Sequence, residues 1–122
     1  MPRTRVVFYK DSTGRVPVLE WLDSLPPKVQ DKCVVKIERL RELGHELRRP
    51  EADLLRDGIH ELRVGRDGVN FRILYFFYGR LAAVLTHAVI KEREVPGADI
   101  ERALDRKWLF ERNPDAHTYR EN

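Results

Sequence analysis

One run of the sequence, residues 71–78, constrains the fold more than any other: its letters FRILYFFY include a single charged residue. An almost wholly apolar run of this length is typical of a central strand that is covered on both faces. Short turns at residues 65–68 and 79–80, each containing glycine, separate it from two further β-rich runs. The pattern therefore predicts three consecutive antiparallel strands, at residues 59–64, 69–78 and 81–90.

The remaining segments predict one more strand and three helices. Residues 5–9 have strand composition, Pro17 suits the first turn of a helix, and Asp99 is expected to begin the last helix. After Pro26-Pro27, apolar residues recur at steps of four, four, three and seven, which makes one helical stripe: Val29, Cys33, Ile37, Leu40 and Leu47. The predicted fold is α+β in the order β-α-α-β-β-β-α, a small and mainly antiparallel sheet with an N-terminal helical hairpin packed on it.

Length and composition predict one domain over residues 1–122, with a polar, mobile tail at 112–122. Cys33 is the single cysteine, which excludes an internal disulfide and favours a reducing, cytoplasmic setting. No apolar run is long enough to cross a membrane. The net charge is +3, and the basic excess falls on residues 28–49 and 59–93. Binding to a polyanion is therefore permitted, though the charge does not require it.

Two arginines stand inside the predicted sheet, Arg63 in the first strand of the hairpin and Arg72 within the most apolar run. Arginine is rarely buried without a partner. One interpretation is a structural ion pair, with Glu61 or Asp67 as the partner of one of them. The other is that Arg72 lies where the sheet is uncovered, and that it and Arg63 face an anionic ligand.

The last predicted strand leaves the core through His87 and continues into the charged residues 91–94. His87 and Lys91 share a face on an unbroken strand, whereas a bulge near Ala88 would separate them. A single histidine at such a place is more often a core residue than a catalyst. Together with arginines, however, it has the groups for metal-independent RNA cleavage by the 2′-OH: an acid and base, and fixed cations for the phosphorane. The four histidines lie on separate elements, so no metal or cofactor is expected.

Three segments in this order resemble the HigB branch of the RelE/ParE toxin superfamily and its phage-derived relatives. They are Glu61-Leu62-Arg63, then Phe71-Arg72-Ile73-Leu74-Tyr75, then Leu85-Thr86-His87-Ala88-Val89 with Lys91 and Pro96. The resemblance covers residues 5–106 and includes a helix that begins with Asp99-Ile100-Glu101-Arg102-Ala103. The order and spacing of these segments support the resemblance more strongly than any single motif does.

The resemblance implies a RelE-like fold and the toxin of a type II toxin–antitoxin module, which cuts mRNA in the ribosomal A site. It assigns phosphate binding and transition-state stabilisation to Arg63 and Arg72. It assigns proton transfer or charge stabilisation to His87 and Lys91, and phosphate contacts to Arg66 and Arg93. The implied partners are mRNA, the ribosome and a small antitoxin of helix-turn-helix type, which together with the toxin forms a hetero-oligomer.

The chain departs from that pattern at Glu92, where the family has a second lysine. Its carboxylate either turns away from the phosphate or acts as the general base. Two alternatives stay open beside the nuclease: a non-catalytic toxin of ParE type acting on DNA gyrase, and a phage-derived interaction protein that kept the fold without the activity.

Overall fold

The apolar run lies at the centre of a five-stranded sheet in the computed structural model, which describes residues 3–66, 69–90 and 94–121. The strands are β1 (Arg5–Phe8), β2 (Ala52–Arg56), β3 (Ile59–Arg66), β4 (Val69–Tyr78) and β5 (Ala82–Ile90). Their order in the sheet is β1-β5-β4-β3-β2. β1 is parallel to β5, and the other neighbours are antiparallel. The predicted α+β class and the central position of β4 are confirmed.

Both faces of β4 are covered, as its composition predicts. On one face, Phe71, Ile73 and Tyr75 pack with residues of α1 (Pro17–Asp23) and α2 (Pro27–Leu43). On the other, Leu74 and Phe76 pack with α3 (Gly97–Arg112). Because side chains alternate along a strand, β4 supplies apolar contacts to two separate clusters at once. The sheet is therefore a shared layer between the helical hairpin and α3.

The predicted stripe of the second helix is confirmed in its central part, where Cys33, Ile37 and Leu40 are buried. α2 ends at Leu43, and a short 3-10 turn at Gly44–Glu46 follows it. Gly44 has a φ of 53° and lies against the Thr4 side chain. A left-handed backbone with no room for a Cβ is the situation that selects glycine at a helix end.

β2 is absent from the predicted order and is the main correction to it. The strand lies at the sheet edge, so one side of its alternating pattern stays in solvent, and Leu54 is 56% exposed. The turn into β3 is Asp57-Gly58, with φ values of 51° and 83°. Positive φ at both central residues matches the tight two-residue hairpin turn in which Asp-Gly is favoured. The observed order is thus β-α-α-β-β-β-β-α.

The C-terminal part of α3 also differs from expectation. The helical spacing of this segment predicts Trp108 for the buried side, together with Ile100, Ala103 and Leu104. Trp108 is instead 57% exposed, whereas Phe110 is 1% exposed and packs in the core. Ile100, Ala103 and Phe110 share one helical face, and Trp108 falls outside it. Its ring instead lies under the Arg112 guanidinium, 4.5 Å from the centroid. The apolar composition of this helix did not show which of its faces packs on the sheet.

The chain after α3 lies along β1. Thr118 forms an isolated antiparallel bridge with Tyr9, and the His117 ring stacks on the Tyr9 ring at 5.1 Å. His117 and Thr118 are each 8% exposed. A mobile tail at 112–122 stays a prediction, and these contacts weigh against it. In the described residues, no helix has both the length and the apolar character needed to cross a bilayer.

Candidate functional site

Arg63 and Arg72 lie directly opposite each other on β3 and β4. Phe71 and Ile73 point to the α2 side of the sheet, so Arg72, between them, points to the α3 side. The Arg63 side chain is 33% exposed and that of Arg72 is 13% exposed. The hairpin register therefore brings two guanidinium groups together on one face, one of them nearly buried.

Glu61 is the partner of both arginines. Arg63 Nε donates to its Oε2 at 2.7 Å, and Arg72 Nε lies 3.2 Å from its Oε1. The second contact is a charge–charge contact, because Arg72 Nε has no acceptor in hydrogen-bond geometry. Arg72 Nη1 donates to the Phe71 carbonyl at 3.1 Å, and Arg63 Nη2 lies 3.6 Å from Asp53 Oδ2. The ion pair proposed for Glu61 is present, and it extends to both arginines.

The two arginines line two clefts. We call the one on the α3 side, of about 590 Å³, the arginine cleft; its walls come from β2, β3, β4 and the start of α3. The other, of about 710 Å³, lies between α2 and the far end of the β3–β4 hairpin, and we call it the α2 cleft. The charged residues of the arginine cleft are Arg49, Arg56, Arg63 and Arg72 with Asp53, Glu61 and Glu94. Cations exceed carboxylates there, and such a lining suits an anionic ligand.

Four charged residues of this lining were not anticipated: Arg49, Asp53, Arg56 and Glu94. The first three belong to or precede β2, the strand missing from the prediction. Arg49 pairs with Asp53 at 2.8 Å, and Arg56 pairs with Glu101 of α3 at 2.7 Å. The Asp57-Gly58 turn signal was the sequence feature that could have placed them next to Arg63.

His87 lies on the same sheet face as Arg72 but is covered by α3. It pairs with Leu74, while Tyr75 pairs with Leu85, so the extra residue of this strand pair is Thr86 on β5, before His87. His87 is 5% exposed and does not line either cleft. Its Nε2 lies 3.4 Å from Asp99 Oδ1 on α3, and its Nδ1 lies 3.1 Å from Thr86 Oγ1. The structure therefore brings Arg63 and Arg72 together and places His87 beneath the helix.

Burial and the nearby Arg106 guanidinium lower the pKa of His87 to about 4, although Asp99 opposes the shift. Burial of a histidine favours the uncharged ring because the low-dielectric interior disfavours the imidazolium. The His87 ring is therefore neutral at pH 7 in this conformation. It can accept a proton there, but neither the arginine cleft nor the α2 cleft reaches it.

The other predicted site residues lie outside the described part of the chain. These are Lys91, Glu92 and Arg93, and with them the side chain of Arg66. Their assigned roles stay predictions. Among the described residues, no three His, Cys, Asp or Glu side chains converge as metal ligands.

The buried histidine predicts a pH dependence of stability. Between pH 6.5, the ordinary pKa, and about 4, the unfolded chain binds more protons at His87 than the folded chain does. The contribution of His87 to the free energy of unfolding is therefore fully present above pH 6.5. It decreases as the pH is lowered, by roughly 3 kcal/mol at pH 4. Urea unfolding at several pH values should show a flatter dependence for His87→Gln than for the wild type. Val34→Ala, at an exposed position without a titrating group, is the control; equal slopes in all three proteins would contradict the prediction.

Known proteins match the segment of the chain that contains Arg63, Arg72 and His87. The profile of the family described as phage-derived protein Gp49-like (DUF891) matches residues 20–107, from α1 into α3. Two relatives named probable endoribonuclease HigB1, from Mycobacterium tuberculosis strains CDC 1551 / Oshkosh and ATCC 25618 / H37Rv, are each 29% identical over 106 residues. The alignment covers 86% of this chain and 83% of theirs. The match spans the arginine pair and His87, and the HigB-like resemblance is confirmed. The chain belongs to the phage-derived Gp49-like protein family.

Proposed function

We propose that this chain is the toxin of a type II toxin–antitoxin module and an endoribonuclease that cuts mRNA on the ribosome. The observation that carries the proposal is the Arg63–Arg72 pair, two guanidinium groups opposite each other at a concave, net cationic surface. Planar guanidinium groups match the geometry of phosphate oxygens. The printed names of the two HigB1 relatives support the same reaction class.

The chemistry proposed is attack by the 2′-OH on the adjacent phosphorus. The 2′-oxygen forms a bond to phosphorus, the bond to the 5′-oxygen breaks, and the products carry a 2′,3′-cyclic phosphate and a 5′-hydroxyl. A base takes the proton of the 2′-OH, and an acid gives one to the 5′-oxygen. Arg63 and Arg72 stabilise the extra negative charge on the phosphorane oxygens. The reaction needs no metal ion in this scheme because side chains supply the positive charge.

Proton transfer is assigned to residues that follow β5 in the sequence. Lys91 and Glu92 are proposed as donor and base, and Arg66 and Arg93 as further phosphate contacts. His87 keeps a proposed role only if the first turn of α3 moves, because Asp99 and the helix cover its ring in the described conformation. This assignment makes α3 the element that controls access to His87.

The partners proposed are the ribosome with its mRNA, and an antitoxin of helix-turn-helix type that forms a hetero-oligomer with the toxin. A basic cleft attracts RNA phosphates without regard to sequence, so the ribosome is proposed to supply the positioning of the mRNA. An antitoxin that covers the arginine cleft would block this contact.

Expression of the chain in a bacterial host tests the proposal. We expect growth arrest and new mRNA 5′ ends clustered at codons within translated regions, with gyrase supercoiling activity unchanged in the same cells. Co-expression of the cognate antitoxin should restore growth. Arrest with intact mRNA and inhibited gyrase would replace the proposal by a ParE-type toxin. A chain without any toxicity would indicate an interaction protein.

A further inference from the structure

Glu61 contacts both arginines, and these contacts indicate a role for Glu61 in addition to phosphate binding by the arginines. Two guanidinium groups opposite each other on neighbouring strands repel, and here one of them is nearly buried. The Glu61 carboxylate, in a residue only 4% exposed, lies against both. A single negative charge between two positive ones leaves a net positive charge, so the cluster can still bind an anion.

The contacts are made by particular atoms of each guanidinium group. Glu61 engages Arg63 through Nε at 2.7 Å and Arg72 also through Nε, at 3.2 Å. The Phe71 carbonyl holds Arg72 Nη1. Arg72 Nη2 and Arg63 Nη1 make no hydrogen bond to the described residues. The carboxylate thus occupies the inner edge of both groups and leaves a terminal nitrogen on each.

We propose that Glu61 is a positioning residue: it fixes Arg63 and Arg72 as a preformed pair whose terminal nitrogens converge on one phosphate. This inference rests on the proposed function. Arginine side chains have many rotamers, and a catalytic contact loses much of its effect when its donor is misplaced by about 1 Å. Holding both groups before RNA arrives removes the cost of ordering them in the transition state. Glu61 acts through the arginines and makes no contact with RNA itself.

A positioning role separates binding from catalysis, whereas a purely structural role does not. Glu61→Gln removes a negative charge near the phosphate, so RNA binding should be unchanged or tighter. The arginines lose their common anchor, so the single-turnover cleavage rate should fall at least about tenfold. A side chain needed only for folding would lower both quantities together with stability.

The chain offers a matched control. Glu38 on α2 also lies between two arginines, Arg3 at 3.3 Å and Arg41, and lines neither the arginine cleft nor the α2 cleft. Glu38→Gln therefore removes the same kind of carboxylate and should keep the wild-type affinity and rate. Glu61→Asp is a second test variant, because its shorter side chain keeps the charge but cannot reach both Nε atoms. It should cleave more slowly with unchanged binding, and it replaces Glu61→Gln if that variant fails to fold.

The experiment combines three measurements on each variant. They are the dissociation constant for a short RNA with a 2′-deoxy residue at the cut site, the single-turnover rate on programmed ribosomes, and the ¹⁵N NMR signals of the arginine Nε–H groups. We expect Glu61→Gln to move the Nε–H signals of Arg63 and Arg72 together and Glu38→Gln to leave them in place. Moved signals in a chain whose wild type cuts no RNA would uphold the positioning and reject the proposed function. Wild-type rates in both Glu61 variants, or parallel losses of rate, affinity and stability, would overturn the inference.

Discussion

Arg72→Ala is expected to lower the rate of mRNA cleavage by at least about 10²-fold, the usual effect of removing one charge-stabilising contact from a transition state. The fold should survive, because Glu61 keeps its 2.7 Å hydrogen bond from Arg63 and is not left unpaired. The rate is measured on ribosomes programmed with a defined mRNA, in single turnover. Equal amounts of folded protein, checked by circular dichroism, are compared.

Arg15→Ala is the control for the loss of one positive charge. Arg15 pairs with Glu20, its side chain is 71% exposed, and it lines neither cleft. Exposed ion pairs contribute little to stability, so this variant should stay folded. Because Arg15 lies outside both clefts, the variant should also cleave at the wild-type rate. Arg72→Lys keeps the charge without the planar group and should fall between the two. An Arg72→Ala protein that cuts as fast as the wild type would remove Arg72 from the site.

Phe76→Ala should have the largest effect on stability, about 3–5 kcal/mol of the free energy of unfolding. Phe76 lies on the central strand, is 0% exposed, and its ring is 5.6 Å from that of Phe110 on α3. Truncation leaves a cavity at the contact between the sheet and the helix that covers His87. Urea unfolding monitored by tryptophan fluorescence measures the change.

Val34→Ala provides the comparison for this second substitution, since Val34 lies on α2 and is 51% exposed. Surface substitutions of this kind change stability by about 0.5 kcal/mol or less. A loss below about 1 kcal/mol for Phe76→Ala would mean that α3 is not held to the sheet through this ring pair.

The features that were predictable from sequence are those that local periodicity encodes. The unbroken apolar run of β4 requires cover on both faces, and the stripe of α2 requires one buried side. The pairing of Arg63 with Arg72 follows from a hairpin whose turn was recognisable by its glycines. The same hairpin placed Glu61 close enough to be proposed as a partner.

The features that were missed depend on packing between distant segments. β2 is a half-exposed edge strand whose polar alternation resembled a loop, although Asp57-Gly58 marked its turn. The burial of His87 depends on where α3 crosses the sheet, and nothing near His87 in the sequence encodes that position. Trp108 was predicted for the core and Phe110 was not, because the rotation of α3 against the sheet decides which of the two is buried.

The chemistry of the RNA ends tests most directly whether the arginine pair cleaves mRNA. Ribosomes programmed with a defined mRNA are incubated with the wild type or with the double variant Arg63→Ala/Arg72→Ala, and both ends at each cut are identified. The wild type should produce 5′-hydroxyl ends paired with 2′,3′-cyclic phosphates or 3′-phosphates, and the double variant should produce none at the same sites. Ends with 5′-phosphates, or identical cuts by the double variant, would contradict cleavage by the 2′-OH at Arg63 and Arg72.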